Sequence, residues 1–435
     1  MKTDRRGFLI GAGALALGGC TGFPSIVSSR SPNSRLAHAC IGTANMAWND
    51  IKSFLGHTRA DIVALCDVDS SFLAKAAKEL CPKARLYRDW REMLEREDLD
   101  SVNVTVPDHN HEVMSTTAMT RGINVYCQKP LAHSLEEIAR MRRVAAETGV
   151  VTQFGAQLAA KPGDRMTVEL LRSGRLGPVR HVWMFSNRKG RSKGRRVSMP
   201  SAPVPKTLDW KGWIGVGPFR PYAEGVFHPL LWRTWYDYGS GVIGDMSSHM
   251  FSSLWLGMEL GSAVPLSVRA KASDDGADAA IRRDRWPRAA HVTWTFPGVP
   301  ASGGEPFEIE WCDGLGEGDE IAAAEFLPPQ SLKELLAKRS VRYRDFFIQG
   351  KIIECEEGWI VEPHHEALLP EVIIKRGAAP ELPLLAACPS HFHEFFDAIL
   401  EGRKARSDFS WSTFMAEAIF RGGAALRTAS SSTMS

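Results

Sequence analysis

Leu36-Ala37-His38-Ala39-Cys40-Ile41-Gly42-Thr43-Ala44-Asn45-Met46-Ala47 begins as a short, mostly apolar run and breaks at a glycine. Such a run fits a strand buried on both faces, and the break fits the turn into the first helix of a dinucleotide-binding βαβ unit. The turn reads G-x-A-x-x-A, so only the first glycine of the phosphate-binding fingerprint is in place. Ala44 sets a methyl group where the backbone normally approaches a pyrophosphate. The context strengthens this motif. Residues 61–66 form a second apolar run that ends in Asp67-Val68-Asp69, 25 residues past Gly42. An acid at that place binds the adenosine ribose hydroxyls and disfavours a 2′-phosphate, which makes Asp67 a candidate for NAD preference, with NADP not excluded. The alternative reading of Asp67 is a cap on the next helix.

Working outward, strand and helix patterns alternate. Residues 70–80, 90–97, 111–121 and 135–148 read as helices, and 101–106, 122–127 and 150–154 as strands. Alternation of this kind implies right-handed βαβ units, a parallel sheet and ligands at the carboxyl ends of its strands. The candidate cofactor contacts at those ends are Gly42, Ala44, Asn45, Met46, Asp67, Pro107, His111, Gln128 and Lys129. The second half has strand-like runs at 179–185 and 291–296 without regular helical alternation. The expected fold is therefore α/β: an amino-terminal Rossmann domain over 36–155, then an α+β domain over 156–428 with a large open, mainly antiparallel sheet, and a tail at 429–435.

The ends and the composition narrow the class further. The chain has 435 residues, 44% hydrophobic and 24% charged, which excludes wholesale disorder, collagen and coiled coil. A net charge of +3 demands no nucleic-acid partner. Eight cysteines run from Cys20 to Cys388 with no C-x-x-C pair, so neither a disulfide scaffold nor a zinc ribbon is indicated. Residues 1–22 combine a polar start, Arg5-Arg6 and an apolar Gly/Ala-rich stretch, the pattern of an export signal. The arginine pair resembles the twin-arginine signal, and Leu17-Gly18-Gly19-Cys20 resembles a lipobox, so periplasmic or Cys20-anchored placement is expected, with residues 23–35 as linker. Past that segment no apolar run reaches the roughly 18 residues that span a bilayer, so the membrane is expected only through the signal or lipid.

Six further stretches carry a family resemblance. Val125-Tyr126-Cys127-Gln128-Lys129-Pro130-Leu131 resembles the E-K-P strand end of the Gfo/Idh/MocA oxidoreductases. Trp210-Lys211-Gly212-Trp213-Ile214-Gly215, Trp232-Arg233 and the run from Gly241 through Asp245 to His249 are similar to second-domain motifs of that family's exported branch. Residues 392–399 and 409–427 are similar as well, so the resemblance spans roughly 36–428. Two residues depart from the pattern: Gln128 replaces the usual acid, and Ser252 stands where many relatives have aspartate.

Hydride transfer at a sugar carbinol needs a proton acceptor and a cation near the developing oxyanion. Lys129 at a strand end can supply the cation. Asp245 and His249, spaced i, i+4, face one side of a helix and can orient one another or move a proton. The resemblance implies the same three catalytic roles. It also implies a nicotinamide cofactor, a small carbohydrate substrate and a homo-oligomer.

Other clusters are less pointed. Trp210 and Trp213 read as packing, and His228 as an even-handed site candidate. The basic run 188–196 reads as a solvated loop. His364-His365-Glu366 and His391-x-His393-Glu394 have metal-like composition, but neither puts two histidines one helical turn apart, and no catalytic metal is expected. Three functions stay open: an NAD(P)-linked oxidoreductase acting on a sugar or cyclitol; a redox-neutral glycosidase that oxidises, eliminates, hydrates and re-reduces; and a non-catalytic carbohydrate binder on a decayed nucleotide fold, suggested by Ala44, Ala47 and Gln128.

Overall fold

The computed structural model describes residues 35–187, 200–273, 284–314, 324–339, 349–363 and 368–432. The export signal, Cys20, the linker up to residue 34, the basic run and His364-His365-Glu366 lie outside the described residues.

Strands β1 (Leu36–Ile41), β2 (Ala60–Cys66), β3 (Arg85–Tyr87), β4 (Ser101–Val104), β5 (Asn124–Gln128) and β6 (Thr152–Gly155) form one all-parallel sheet in the order 3-2-1-4-5-6. Every residue of β4 and β6 is buried, as a parallel sheet covered on both faces requires. Helices α1 (Met46–Phe54), α2 (Ser70–Glu79), α3 (Trp90–Arg96), α4 (His111–Thr120) and α5 (Leu135–Thr148) supply those covers. Local chemistry sets their ends. Asp69 caps α2 by accepting from the Ser71 amide, and Asp89 caps α3 through the Arg91 amide. Ser134 accepts from the Glu137 amide while the Glu137 carboxylate accepts from the His133 amide, and Gly149 at φ 64° closes α5. β3, a three-residue edge strand reading Arg-Leu-Tyr, is too short and too exposed to show in the apolar pattern.

α6 (Pro162–Ser173) leads into the second sheet, built from β7 (Val179–Ser186), β8 (Ser267–Ala272), β9 (Ala290–Phe296), β10 (Phe307–Asp313), β11 (Gln349–Cys355), β12 (Gly358–Pro363) and β13 (Glu371–Ile374). Its order is 13-12-11-7-10-9-8, and β7 with β10 is its one parallel pair. This is the expected α+β half with a mainly antiparallel sheet. After a short turn of helix, α7 (Trp210–Ile214), comes α8 (Gly241–Gly257). Every residue of α8 except Asp245 and Leu256 is buried, so the helix is apolar nearly all round and its one carboxylate stands out.

The last elements are α9 (Gln330–Arg339), α10 (His391–Glu401) and α11 (Phe409–Ser432). Among the described residues no helix is long and apolar enough to cross a membrane. α10 does not stay with the second sheet. Phe395 and Phe396 are fully buried against Leu36, Phe54, Ala60 and Tyr126 of the first, and Gln153 Nε2 donates to the His391 carbonyl at 2.5 Å. The core behind β1 thus includes side chains found more than two hundred residues beyond β6. Truncating Phe395 to Ala should cost about 3–5 kcal/mol, the usual scale for a buried phenylalanine. Denaturant unfolding of the variant checks this, and a loss below about 1 kcal/mol would mean that α10 is only draped on the sheet.

Candidate active site

A cavity of ≈ 520 Å³ opens at the carboxyl ends of the first sheet's strands and is walled on its far side by α8 and residues 228–233. It lies where the strand order reverses between β1 and β4, the place where open α/β sheets bind ligands. Gly42 makes the floor possible: its φ is 93°, and a Cβ there would stand 2.0 Å from the Thr105 carbonyl oxygen. Ala44, Asn45 and Met46 line the cavity at the start of α1, which no side chain caps. An uncapped helix start beside a glycine floor fits a pyrophosphate. Asn45 reaches this place at a φ of 54°, a strained value for a residue with a side chain.

Asp67 lies on the wall, as the spacing requires. Its Oδ2 accepts from the Thr43 amide (2.9 Å) and hydroxyl (2.8 Å), and its Oδ1 from the Asp69 amide (2.9 Å). Burial nevertheless holds its pKa above the ordinary carboxylate value, against the pull of those donors. Pro107 and Gln128 also reach the wall. His111 does not. Its Nδ1 lies 2.6 Å from the Pro130 carbonyl and its Nε2 2.7 Å from that of Val106, so it braces the loops after β4 and β5 rather than meeting a cofactor. Burial pushes its pKa down. The sequence pattern puts it at a strand end, but that pattern cannot tell a ring turned into the protein from one turned out.

Lys129 and Asp245 meet: the Lys129 ammonium donates to Asp245 Oδ1 in a close ion pair between the two halves of the molecule. Arg233 Nε lies 3.5 Å from Asp245 Oδ2, and Arg233 Nη1 donates to Asp108 Oδ1 at 3.1 Å. Asp108 in turn accepts from the Ser240 amide (3.0 Å) and hydroxyl (2.6 Å). Two anions and two cations therefore alternate in one chain, half-buried except at Asp108, which is fully buried. Burial works against ionised Asp245, yet Arg233, then Lys129 and His249, hold its pKa well below the ordinary carboxylate value. Burial opposes the charge on Arg233 too, and Asp245 and Asp108 outweigh it.

His249 is one turn past Asp245, 7% exposed and close enough to act on its charge, but it is not among the residues lining the cavity. The i, i+4 spacing thus gives the side of the helix but not the depth. Ser252 donates to the Ser248 carbonyl at 2.8 Å and serves its own helix. Arg233 was legible as part of the Trp232-Arg233 motif and Asp108 only as the neighbour of Pro107, because nothing local in sequence shows that they close this network.

Asp50 was not legible at all. It projects from α1, completely buried, and accepts from Gln128 Nε2 with both oxygens (3.1 and 3.0 Å) and from Thr105 Oγ1 at 2.8 Å. Gln128 Oε1 accepts from the Lys129 amide at 3.2 Å. The acid that position 128 lacks is thus present one residue away in space, and Gln128 relays its hold to the Lys129 backbone. Burial raises the Asp50 pKa to about 7, against the hydrogen bonds of Gln128 and Thr105. A carboxyl whose folded pKa is raised stabilises the fold fully at low pH, and that contribution is lost as pH rises through about 7. Asp50→Asn removes the titration, so its melting temperature relative to wild type should climb between about pH 5 and about pH 8. Scanning fluorimetry over that range checks this, and a flat difference would contradict it.

The remaining candidates sort by contact. Trp210 and Trp213 stack at 4.7 Å within a buried aromatic cluster, as packing residues do. Trp232 reaches the cavity with Arg233 over its ring at 4.2 Å. His228 also reaches the cavity, its Nε2 3.1 Å from Asp69 Oδ2. His391 and His393 face the backbone carbonyls of Phe154 (3.0 Å) and Ser53 (3.1 Å), which explains their clustering without an ion.

Comparison with known proteins agrees with this geometry. Residues 36–156 match the oxidoreductase family's NAD-binding Rossmann fold, and residues 183–291 match its C-terminal alpha/beta domain. D-apiose dehydrogenase of Paraburkholderia graminis is 32% identical over 143 residues, 33% of this chain and 38% of that protein. A glycosyl hydrolase family 109 protein of Parabacteroides distasonis is 26% identical over 204 residues, 42% of this chain and 44% of its own. The chain thus matches less than half the length of either relative. In fold, it resembles the WlbA dehydrogenase of Bordetella pertussis, solved with NADH and UDP-GlcNAcA, with a TM-score of 0.57, 16% identity and coverage of 90% of this chain and 97% of that one. The aldose-aldose oxidoreductase of Caulobacter crescentus gives 0.55 at 16% identity, covering 90% and 98%. With both family segments matched across a cavity built as described, the chain belongs to the Gfo/Idh/MocA family of NAD-binding oxidoreductases.

Proposed function

We propose that this protein exchanges hydride between nicotinamide and a hydroxyl-bearing carbon of a sugar or sugar derivative. The observation that carries the reading is the Lys129–Asp245 pair, set at the junction of the nucleotide cavity and α8. Gly42, the uncapped start of α1 and Asp67 would hold the dinucleotide, which when bound supplies the hydride acceptor. Lys129 then places a positive charge at the substrate oxygen as it loses its proton. Asp245 orients that ammonium, and Arg233, itself held by Asp108, keeps Asp245 ionised. The hydroxyl proton passes to His249, a turn further along α8 and near enough to feel the Asp245 charge, while Asp245 itself stays ionised. Lys129, Arg233, Asp108 and Asp245 sum to no net charge, which suits an uncharged hydroxyl-rich substrate better than an anion.

The reading extends to where the protein works. Residues 1–22 support export by the twin-arginine route, which carries folded proteins, and Leu17 to Cys20 supports a lipid anchor. Outside the cytoplasm a released cofactor meets no soluble pool to recycle it. The nicotinamide is therefore retained, and hydride lent to it returns at the same site, either between two sugars or within one.

A second reading, glycoside cleavage by oxidation, elimination, hydration and reduction, is favoured by the glycosyl hydrolase family 109 relatives, whose match runs longer than that of the apiose enzyme. It uses the same residues with no net redox change. Extensively dialysed enzyme assayed on sugars and glycosides without added nucleotide separates the two by product. Activity that appears only while added NAD(P) is consumed would contradict retention.

Lys129→Met should lower turnover by about 10²-fold or more while leaving nucleotide binding nearly intact, because it removes the cation at the reacting oxygen but no part of the cradle. Single-turnover rates with nucleotide titration check both halves. Unchanged turnover would make Lys129 a purely structural partner of Asp245.

A further inference from the structure

The second sheet separates two different chemistries. β10 turns Ile309 and Trp311 to the side where α8 packs, and Glu308, Glu310 and Cys312 to the other side. On that other side His291 of β9 lies directly across from Cys312, and Glu310 is two residues along the same face. His291, Glu310 and Cys312 offer a ring nitrogen, a carboxylate oxygen and a thiol sulfur, all within 4.8 Å of one another. None of the three belongs to the cavity or to a family motif used above.

We propose that His291, Glu310 and Cys312 form a binding site for a zinc-class divalent cation on the face of the second sheet away from the nucleotide cavity. The donor set, one imidazole, one carboxylate and one thiolate, is that of a borderline-soft tetrahedral ion, with the fourth position left for water. An ion at about 2.0–2.3 Å from each donor needs them about 3.3–3.8 Å apart, so His291 Nε2 and Glu310 Oε2, 2.8 Å apart, would part by about half an ångström to admit it, with the Cys312 sulfur within 4.8 Å of both.

The groups behind the donors are arranged as at a metal site. His291 Nδ1 lies 2.7 Å from the Glu325 carbonyl, which fixes its proton there and leaves Nε2 facing Glu310 Oε2 at 2.8 Å. That lone pair and that carboxylate repel unless a cation lies between them, either the second proton of the ring or a metal. The other Glu310 oxygen accepts from His181 Nε2 at 2.8 Å, and the His181 ring stacks on Trp183 at 4.1 Å. One carboxylate oxygen is thereby anchored and the other presented. Cys312 is buried beside Trp183, Phe185, Leu332 and Leu336, so the sulfur side of the site is dry while His291 and Glu310 meet solvent at its rim. A bound ion would tie β9, β10 and the turn carrying Glu325 to one another.

The test uses the full chain, stripped with chelator and then titrated with Zn2+ against a chromophoric competitor. Wild type should take up about one equivalent more than a His291→Ala/Cys312→Ser variant. His181→Gln, which disturbs only the outer partner of Glu310, should weaken binding by about tenfold. Co2+ in place of zinc should give a thiolate-to-metal charge-transfer band in wild type that Cys312→Ser lacks. If Cys312→Ser does not fold, Glu310→Gln reads the same uptake. Equal uptake by wild type and the double variant, or cobalt bound without the thiolate band, overturns the proposal and leaves His291 as a hydrogen-bond partner of Glu310.

Discussion

The molecule is organised around an alternating chain of charges: Asp108, Arg233, Asp245, Lys129. Each charge is expensive to bury alone, and each is tolerable only because the next one neutralises it. Asp108 and Lys129 come from loops after strands of the first sheet, while Arg233 and Asp245 come from the second half of the chain. The two halves therefore cannot slide past one another without stranding a charge. This constraint also explains why α8 can be so apolar. With its single carboxylate committed to two cations, the rest of the helix is free to fill the space between sheet and cavity.

The same principle reappears at Asp50, with a different outcome. There the direct partners are an amide and a hydroxyl, and Lys129 acts only more weakly through its charge, so burial prevails and the carboxyl holds its proton to higher pH. With glutamine at the E-K-P position a carboxylate is present all the same. It comes from Asp50 of α1, with the neutral Gln128 between it and the lysine backbone, an arrangement that depends on Gly155 leaving room beside Gln128.

How much of this was legible in the sequence follows from the range of each interaction. The buried runs of β1, β2, β4 and β5 and the helical periods between them are local, and a parallel sheet follows from their alternation; the order of its strands was not read from them. Asp67 and Lys129 were legible because a strand end fixes where a residue sits. His111 satisfied the same rule but turned inward, and His249 kept the right face of its helix while lying beyond the cavity lining. Asp50 and the closing of Arg233 on Asp108 were hidden for a plainer reason. They depend on contacts 78 and 125 residues apart, which no periodicity encodes. The return of α10 to the first sheet is of that kind too, since its apolar face has the same spacing whichever surface it covers.

That return has a consequence for how the protein comes into being. Phe54 and Tyr126 are made early in synthesis, but the phenylalanines that cover them, Phe395 and Phe396, follow more than two hundred residues later. The nucleotide-binding half is thus an unfinished body for most of translation, with an aromatic surface waiting for its lid, and it cannot be excised at the end of β6 as a self-sufficient module. Completion is a property of the whole chain. Any process that recognises the amino-terminal half only when folded would in effect be inspecting α10 as well.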